Sequence, residues 1–171
     1  MANQIQKLPP QNIDAVQSLL GALLIDKDAI VKIAEMLHPL HFYRTEQHGK
    51  IFEAILNLFE KREPIDLVTV TDKLKQAEAL DLVGGSAYLA TLVNIVPTSA
   101  HIEHYARIIK EHAIRRTLIS KATRLIENSY DESIPLANIL DNAEQDIFAV
   151  SQESVKKDFV ALKDLLTISF D

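Results

Sequence analysis

The chain has 171 residues, 47% of them hydrophobic and 25% charged, so it is long and apolar enough to bury an ordinary core. Its 24 acidic residues outnumber 18 basic ones, and the net charge of -6 disfavours non-specific DNA binding by the whole surface. The absence of cysteine excludes disulfides, thiolate metal sites and cysteine nucleophiles. No export signal or long apolar run is apparent, so we expect a cytoplasmic location and no membrane partner.

The number and spacing of the glycines exclude a glycine-rich phosphate-binding loop in this chain. The chain has 4 glycines, at positions 21, 49, 84 and 85, and none of them has the spacing of a phosphate-binding loop. We therefore expect no ATP hydrolysis by these residues through the usual loop.

The first part of the chain, residues 1–99, predicts a globular head of short helices. Helix starts are indicated by capping residues followed by apolar positions at three- and four-residue steps, at Asn12, Asp26, Thr45 and Asp66. A further short helix is predicted at 86–95, after two consecutive glycines. The β-branched run at 68–71 also suits a strand, but no other segment alternates as a partner strand would, so we predict a helix there.

Residues 100–153 predict an antiparallel helical hairpin. From Ser99 to Tyr130 there is no proline or glycine, and the apolar residues keep a helical spacing, which indicates a helix or a kinked pair roughly 45 Å long. After a polar turn, Pro135 begins a second amphipathic helix. The predicted fold class is therefore all-α, with a helical head and a hairpin long enough to protrude from it.

The two arms of the hairpin differ in charge. Residues 100–130 carry six basic and three acidic groups, whereas residues 131–153 carry six acidic groups and no basic one. A basic cluster lies on the first arm, at Arg115, Arg116, Lys121 and Arg124. Such a run can contact DNA, but salt bridges to the acidic arm or to a partner chain are the favoured use in an acidic domain.

A two-helix hairpin leaves part of its apolar surface uncovered, because each arm packs against one partner only. We therefore predict self-association through the hairpin. The residues proposed for this contact are Ile114, Leu118, Ala122, Leu136, Ile139 and Leu140.

The last residues, 154–171, predict a linker and the start of a further helix. Residues 154–158 are charged and indicate a linker. A short apolar stripe follows, and so short a helix is expected to dock on another element. Its docking residues are Phe159, Leu162, Leu165 and Leu166. Because the sequence stops there, we expect a further domain in the native protein.

Two groups of side chains have residue types that can form chemical sites. His101 and His104 lie three positions apart, but histidines on a polar helix face are more often solvated than metal-bound. Asp141, Glu144 and Asp146 suggest paired carboxylates, yet they fall between apolar positions and face solvent or the basic arm. We expect no catalytic residue, no metal and no cofactor in this chain.

The segments taken together resemble a known family. In order, the matching blocks are PPQNIDA (9–15), SLLG (18–21), FYR (42–44), IFEAI (51–55), PIDLVTV (64–70), VGG (83–85) with YL (88–89), VPTSA (96–100) with Ile102 and YA (105–106), AEQ (143–145) with IF (147–148), and 159–166. Their order and spacing resemble the N-terminal domain of the bacterial replicative DNA helicase, the hexameric DnaB family, over residues 8–166.

This resemblance implies a collar in a ring of six, which pairs with itself and recruits primase. It also implies that ATP and Mg²⁺ bind a motor domain outside these 171 residues, that the final helix packs on a neighbouring motor domain, and that a helicase loader is a possible partner. The residues proposed to face primase are Tyr88, Ile119 and Leu125, although Tyr88 is also consistent with a core position and the other two with self-association. The second hypothesis is a free-standing helical dimer that binds a regulator or nucleic acid. The third is a hydrolytic enzyme.

Overall fold

The computed structural model describes the backbone of residues 7–95 and 100–168 and the side chains as far as residue 154. Within these residues the secondary structure is helical with no strand, which confirms the all-α prediction. The α-helices are α1 (Ile13–Ile25), α2 (Lys50–Glu60), α3 (Leu67–Gln76), α4 (Gly85–Ile95), α5 (Ile102–Tyr130) and α6 (Leu136–Ile168). The chain divides into two compact units, Met1–Ala113 and Ile114–Asp171.

The first unit, which we call the head, is built around the apolar faces of its helices. Asn12 caps α1, because its side-chain oxygen accepts a hydrogen bond from the backbone N–H of Ala15 at 2.9 Å. The rings of Phe42 and Phe52 pack together in the core, with centroids 5.0 Å apart. The first turns of α5 belong to the same core, since Ile102 is buried there. The division between the two compact units falls inside α5, after Ala113.

Helix α3 confirms the prediction of a helix at the β-branched run. The carboxylate of Asp66 accepts hydrogen bonds from the backbone N–H groups of Val68 and Thr69, both at 2.9 Å. The Thr69 hydroxyl oxygen in turn accepts from the backbone N–H of Asp66 at 3.0 Å. This reciprocal capping box satisfies donors that the start of a helix otherwise leaves unpaired, and it outweighs the strand preference of the side chains.

The helix predicted after Asp26 is wrong. The segment instead contains a 3-10 turn at Ala29–Lys32 and a second one at Pro39–His41. The apolar residues that suggested a helix are buried all the same, among them Ile30 and Ile33. Tight turns bury these side chains without the cost of nucleating a short α-helix that ends at a proline.

The start predicted at Thr45 is also wrong in its geometry. Residues Thr45–Gly49 form one turn of π-helix, and α2 begins only at Lys50. The Thr45 hydroxyl does not cap a helix, because it donates to the carbonyl oxygen of Phe42 at 2.9 Å. Gly49 is required here, since a Cβ atom would lie 2.7 Å from the carbonyl oxygen of Pro39.

A buried polar contact joins this π-helical turn to α4. His48 is fully buried, and its Nε2 atom lies 2.6 Å from the hydroxyl oxygen of Tyr88. The amide of Gln17 on α1 donates to the same hydroxyl oxygen at 3.2 Å. Burial and the nearby positive charge of Arg44 lower the pKa of His48 to about 4, so this ring is neutral at neutral pH.

The second unit contains the two arms of the predicted hairpin. Helix α5 ends at Tyr130, a five-residue turn follows, and Pro135 precedes the first residue of α6. In the turn, the carboxylate of Asp131 accepts hydrogen bonds from the backbone N–H and the hydroxyl of Ser133, at 3.0 and 2.6 Å. The arms are antiparallel, because Lys121 on α5 pairs with Asp146 on α6 across the turn.

Helix α6 is longer than the predicted second arm. It runs without interruption through residues 154–158, so the linker predicted there does not break the helix. The segment contains neither proline nor glycine, and its charged residues are compatible with a helix. The head, hairpin and linker boundaries predicted at residues 99 and 153 stay predictions as functional divisions.

Within residues 7–95 and 100–168, no helix combines the length and the hydropathy that crossing a membrane would require.

The cap of α3 gives a first test. Replacing Asp66 with alanine removes the acceptor of two backbone N–H groups, and we expect the free energy of unfolding to fall by about 1 kcal/mol. Urea denaturation followed by circular dichroism measures this change. Asp28→Ala is the matched control, because Asp28 precedes a 3-10 turn and makes no side-chain capping bond. Equal losses for the two variants would contradict the assignment of the cap.

The buried His48 predicts a pH dependence of stability. Between its unfolded pKa of 6.5 and its folded pKa of about 4, the unfolded chain binds a proton that the folded chain does not. The contribution of His48 is therefore fully present above about pH 6.5 and is lost as the pH falls toward 4. Urea denaturation across this range should show a steeper loss for the wild-type chain than for His48→Gln. Parallel curves would show that His48 does not titrate as the structure predicts.

Candidate interaction surface on the hairpin

An ion-pair cluster marks the side on which the two arms meet. The Lys121 ammonium donates to one oxygen of the Asp146 carboxylate at 2.6 Å, and Arg124 donates to the other oxygen. Hydrogen bonds from Lys121 and then Arg124, together with their positive charges, lower the pKa of Asp146. Two members of the basic cluster are thus bound to the acidic arm, as the salt-bridge interpretation predicted.

The burial pattern of α6 identifies the inner side of that helix. Ile139 is buried, Ala143 is half-buried, and Asp146 is the residue that binds the two cations of α5. These positions are spaced by four and three residues and so lie along one stripe. On α5, Lys121 marks the corresponding inner side.

Next to this inner side, both arms carry exposed apolar residues. On α6, Leu136, Leu140 and Ile147 are 69%, 61% and 60% exposed. Leu140 follows the inner residue Ile139, and Ile147 follows the inner residue Asp146. Leu136 is four positions before Leu140 and so lies on the same stripe. On α5, Leu118 and Leu125 are exposed and share a stripe with Ala122, which follows Lys121.

These two exposed stripes form a single surface. On each helix the exposed stripe is rotated away from the inner side in the direction of increasing residue number. Because the two helices are antiparallel, this same rotation brings both stripes to one face of the hairpin. We call this surface the hairpin face; it consists of Leu118, Ala122, Leu125, Leu136, Leu140 and Ile147.

Most of the residues predicted for self-association lie on the hairpin face. Leu118, Ala122, Leu136 and Leu140 are exposed there, whereas Ile139 is buried and Ile114 is half-buried. The sequence pattern selects all six residues because it shows which residues lie on the apolar stripe of each arm. It does not show which side of that stripe the other arm covers. Ile147 was not included, although its position seven residues after Leu140 is the signal that could have found it.

The residues predicted to face primase do not form one cluster. Tyr88 belongs to the head, where it is half-buried, and Ile119 and Leu125 belong to the hairpin unit. Ile119 and Leu125 are six positions apart, which separates them by about 120° around α5. Leu125 therefore lies on the hairpin face, whereas Ile119 lies on the outer side of α5.

A second apolar edge follows from the position of Ile119. Ile126 and Tyr130 lie seven and eleven positions further along the same side of α5, and all three are more than half exposed. Near the end of α5 is a surface hollow of about 410 Å³ lined by Leu125, Ile126, Ser129 and Tyr130. Ile126 and Tyr130 are not among the residues predicted to face primase, because that prediction pairs Ile119 with Leu125, which lies on a different side of α5.

The remaining candidate residues have simpler environments. The docking residues Phe159, Leu162, Leu165 and Leu166 lie on α6, but their side chains are outside the described residues. Asp141 and Glu144 are exposed, and Asp146 binds two cations. The part of the chain that the structure describes contains no group of three or more potential metal ligands.

Comparison with known proteins agrees with this architecture. The family model described as the DnaB-like helicase N terminal domain matches residues 8–111. The chain is 41% identical to the replicative DNA helicase DnaB of Geobacillus stearothermophilus over 166 residues, and 41% identical to the replicative DNA helicase DnaC of Bacillus subtilis over 165 residues. These alignments cover 97% and 96% of this chain but only 36% of either relative, so the chain spans about a third of their length.

Two solved structures are similar to this chain. The crystal structure of the N-terminal domain of DnaB helicase from Mycobacterium tuberculosis has 40% identity and a TM-score of 0.78, and the match covers 83% of this chain and 99% of that one. A structure of a DnaB-like replicative helicase and its interactions with primase shares the fold, with a TM-score of 0.69, 23% identity and coverage of 83% and 31%. By the family model, the sequence relatives and the shared fold, this chain belongs to the DnaB helicase family and corresponds to its N-terminal domain.

Proposed function

We propose that this chain is an assembly and recruitment module of a replicative DNA helicase, and that the hairpin face is where copies of it meet. The observation that carries the proposal is the hairpin face itself, whose leucine and isoleucine side chains are 38% to 69% exposed on adjacent stripes of two helices. A contiguous apolar surface of this kind on a chain with a net charge of -6 is typical of a protein interface.

The energetics of apolar burial support pairing through this face. Fully burying a leucine or isoleucine side chain is favourable by about 1.5–3 kcal/mol, and a two-fold pair would cover the same residues on both copies. We propose that such pairs are the unit from which a ring of six is built.

The proposed module has no catalytic role of its own. Its four glycines lack the spacing of a phosphate loop, so we propose that ATP and Mg²⁺ bind in the part of the helicase that this chain does not span. Unwinding of DNA is then the activity of the whole protein. Lys121 and Arg124 already bind Asp146, so DNA contact through the basic cluster is at most weak.

Primase is the proposed second partner. The similar fold of a helicase studied with primase supports this choice, and so does the apolar edge of Ile119, Ile126 and Tyr130, which the hairpin face does not include. We propose that primase contacts this edge, with Leu125 at its border and the Tyr88 region of the head as a second contact. Docking of the end of α6 on a neighbouring motor domain, and binding of a helicase loader, remain proposals drawn from the family.

A charge on the hairpin face tests self-association. Leu118→Glu places a carboxylate among apolar side chains, so we expect sedimentation velocity to show a lower mass than for the wild-type chain while the helical circular dichroism stays the same. Val68→Glu is the matched control, because Val68 is an exposed residue of the head, 76% accessible. An unchanged mass for Leu118→Glu would rule out the hairpin face as the self-association surface.

A charge on the outer edge of α5 tests primase binding. Ile119→Glu should weaken binding of the C-terminal domain of the primase from the same organism by about 10-fold, while leaving the mass of the chain alone unchanged. Phe148→Glu on α6 is the control, since Phe148 is 63% exposed, against 53% for Ile119, but lies on the other arm. Titration of labelled primase domain measures both. Wild-type affinity for Ile119→Glu would show that primase binds elsewhere.

A further inference from the structure

The inner side of α6 has the spacing of a coiled-coil helix. Its buried and half-buried residues follow one another at steps of four and three positions: Ile139, Ala143, Asp146, Val150 and Glu153. Steps that average about 3.5 residues are typical of helices that pack side by side over a long distance. Asp146 is thus a charged residue in the middle of a packing stripe, and its side chain is only 19% exposed.

The matching side of α5 is mostly polar. Ile114, Thr117, Lys121 and Asn128 are half-buried there, at steps of three, four and seven positions. In an ordinary coiled coil the inner positions of both helices are apolar, and their burial holds the helices together. Here α5 contributes little apolar surface to the pairing, so the arms depend more on specific polar contacts.

The ion-pair cluster of Asp146, Lys121 and Arg124 supplies such a contact. The Lys121 ammonium lies 2.6 Å from one carboxylate oxygen of Asp146, and the Arg124 guanidinium donates to the other oxygen. Lys121 and Arg124 are three positions apart on α5, so both reach the carboxylate from the same side of that helix. A carboxylate bound at both oxygens is fixed in position along the helix as well as around it.

The residues beside Asp146 on the inner stripe cannot replace it. If α6 moved by one turn along α5, Ala143 or Val150 would come level with Lys121. Neither side chain has a hydrogen-bond acceptor, so the Lys121 ammonium would lose its partner in a partly covered position. A single charged residue among apolar ones disfavours the wrong registers in this way.

The ion-pair cluster and the turn hold the arms at two separate points. Lys121 lies nine residues before the end of α5 at Tyr130, which is about 13 Å along the helix. The hydrogen bonds of the turn align the arms at the tip, and the cluster aligns them further from it. A shift of one turn at the cluster would move the exposed stripe of one arm by about 5 Å against that of the other.

We infer that Asp146 is a positioning residue for self-association: it binds Lys121 and Arg124 and thereby fixes the register in which the two stripes of the hairpin face lie side by side. The inference rests on the proposed function, and it adds a polar determinant to the apolar residues of that face. Because Asp146 lies on the inner side of α6, it acts through the alignment of the face and not through contact with the second copy.

Asp146→Asn tests the inference with almost no change of shape. The amide keeps the size of the side chain but removes its charge and one of its two acceptor oxygens. We expect association measured by sedimentation velocity to weaken about 10-fold, because fewer chains have the aligned face, while the helical circular dichroism stays the same. Asp141→Asn is the matched control, since Asp141 is an exposed carboxylate of the same helix. Equal association of the wild-type chain and Asp146→Asn would show that the cluster does not position the face.

The register itself is measured within one chain. Ser120 and Ala149 are exposed and each precedes an inner residue, so they lie on the side opposite the hairpin face. Spin labels on Ser120→Cys and Ala149→Cys report the distance between the arms, because the chain has no native cysteine. An excess of unlabelled chain restricts the signal to distances within one molecule. We expect a narrow distance distribution when Asp146 is present and a broader one in Asp146→Asn; a distribution that stays narrow would overturn the register role.

Reversal of the charges provides a rescue. Asp146→Arg alone places three cations together and should remove both association and the narrow distribution. When Lys121→Glu and Arg124→Glu are added, the introduced guanidinium can bind two carboxylates, and both properties should return. A triple variant that folds like the wild-type chain but behaves like Asp146→Arg would contradict the inference, and thermal unfolding identifies any general loss of the fold.

The two readouts separate this inference from the proposed function. If the wild-type chain does not associate, the role of the hairpin face and the effect of Asp146 on association both fail, while the distance distribution still decides whether the cluster sets the register. If Asp146→Asn broadens the distribution without weakening association, the proposed function stands and the positioning role is wrong.

Discussion

The limited interior of a two-helix hairpin is the constraint on which the proposed role of this domain depends. A helix packed against one neighbour buries one stripe, and here the inner stripe is shared with the polar pair of Lys121 and Asp146. The apolar residues beside it, Leu136 and Leu140 among them, have no cover within residues 7–95 and 100–154, as their exposure shows. An apolar surface that the fold cannot cover is available to a second chain.

In the head, by contrast, the apolar residues are covered by the fold itself. Its helices enclose a continuous apolar core, and its polar contacts are directed inward, as at His48, or used to begin helices, as at Asp66. A unit of this kind covers its apolar residues with its own helices. Rigid packing in the head and exposed apolar residues on the hairpin thus give the two units different tasks in the proposed assembly.

Much of the fold follows from sequence because helix starts, stops and spacing are local properties. Asn12 and Asp66 cap the helices that they were expected to cap, and the antiparallel arms follow from the turn before Pro135. The failures come from tertiary structure. The turns after Asp26 replace a helix because burial of Ile30 and Ile33 needs no complete helix, and the Thr45 hydroxyl is engaged by the carbonyl of Phe42.

The interaction surfaces were only partly predictable for a related reason. Spacing places Leu118, Ile139 and Leu140 on apolar stripes, but only the packing of the arms shows that Ile139 is buried and Leu140 exposed. The hydrogen bonds of Tyr88 with Gln17 and His48 join residues 71 and 40 positions apart in sequence, so no local pattern could reveal them. The proposed function therefore rests more on the match to the family and its relatives than on the spacing of apolar residues.

The most direct test of the hairpin face uses the absence of native cysteine. Leu140→Cys and Val68→Cys each introduce a single exposed thiol, one on the hairpin face and one on the head. The rate of maleimide labelling is then measured at increasing chain concentration. The account predicts that labelling slows with concentration at position 140 and stays constant at position 68, because only the hairpin face is covered when copies associate. A constant rate at both positions while the chain associates would contradict it.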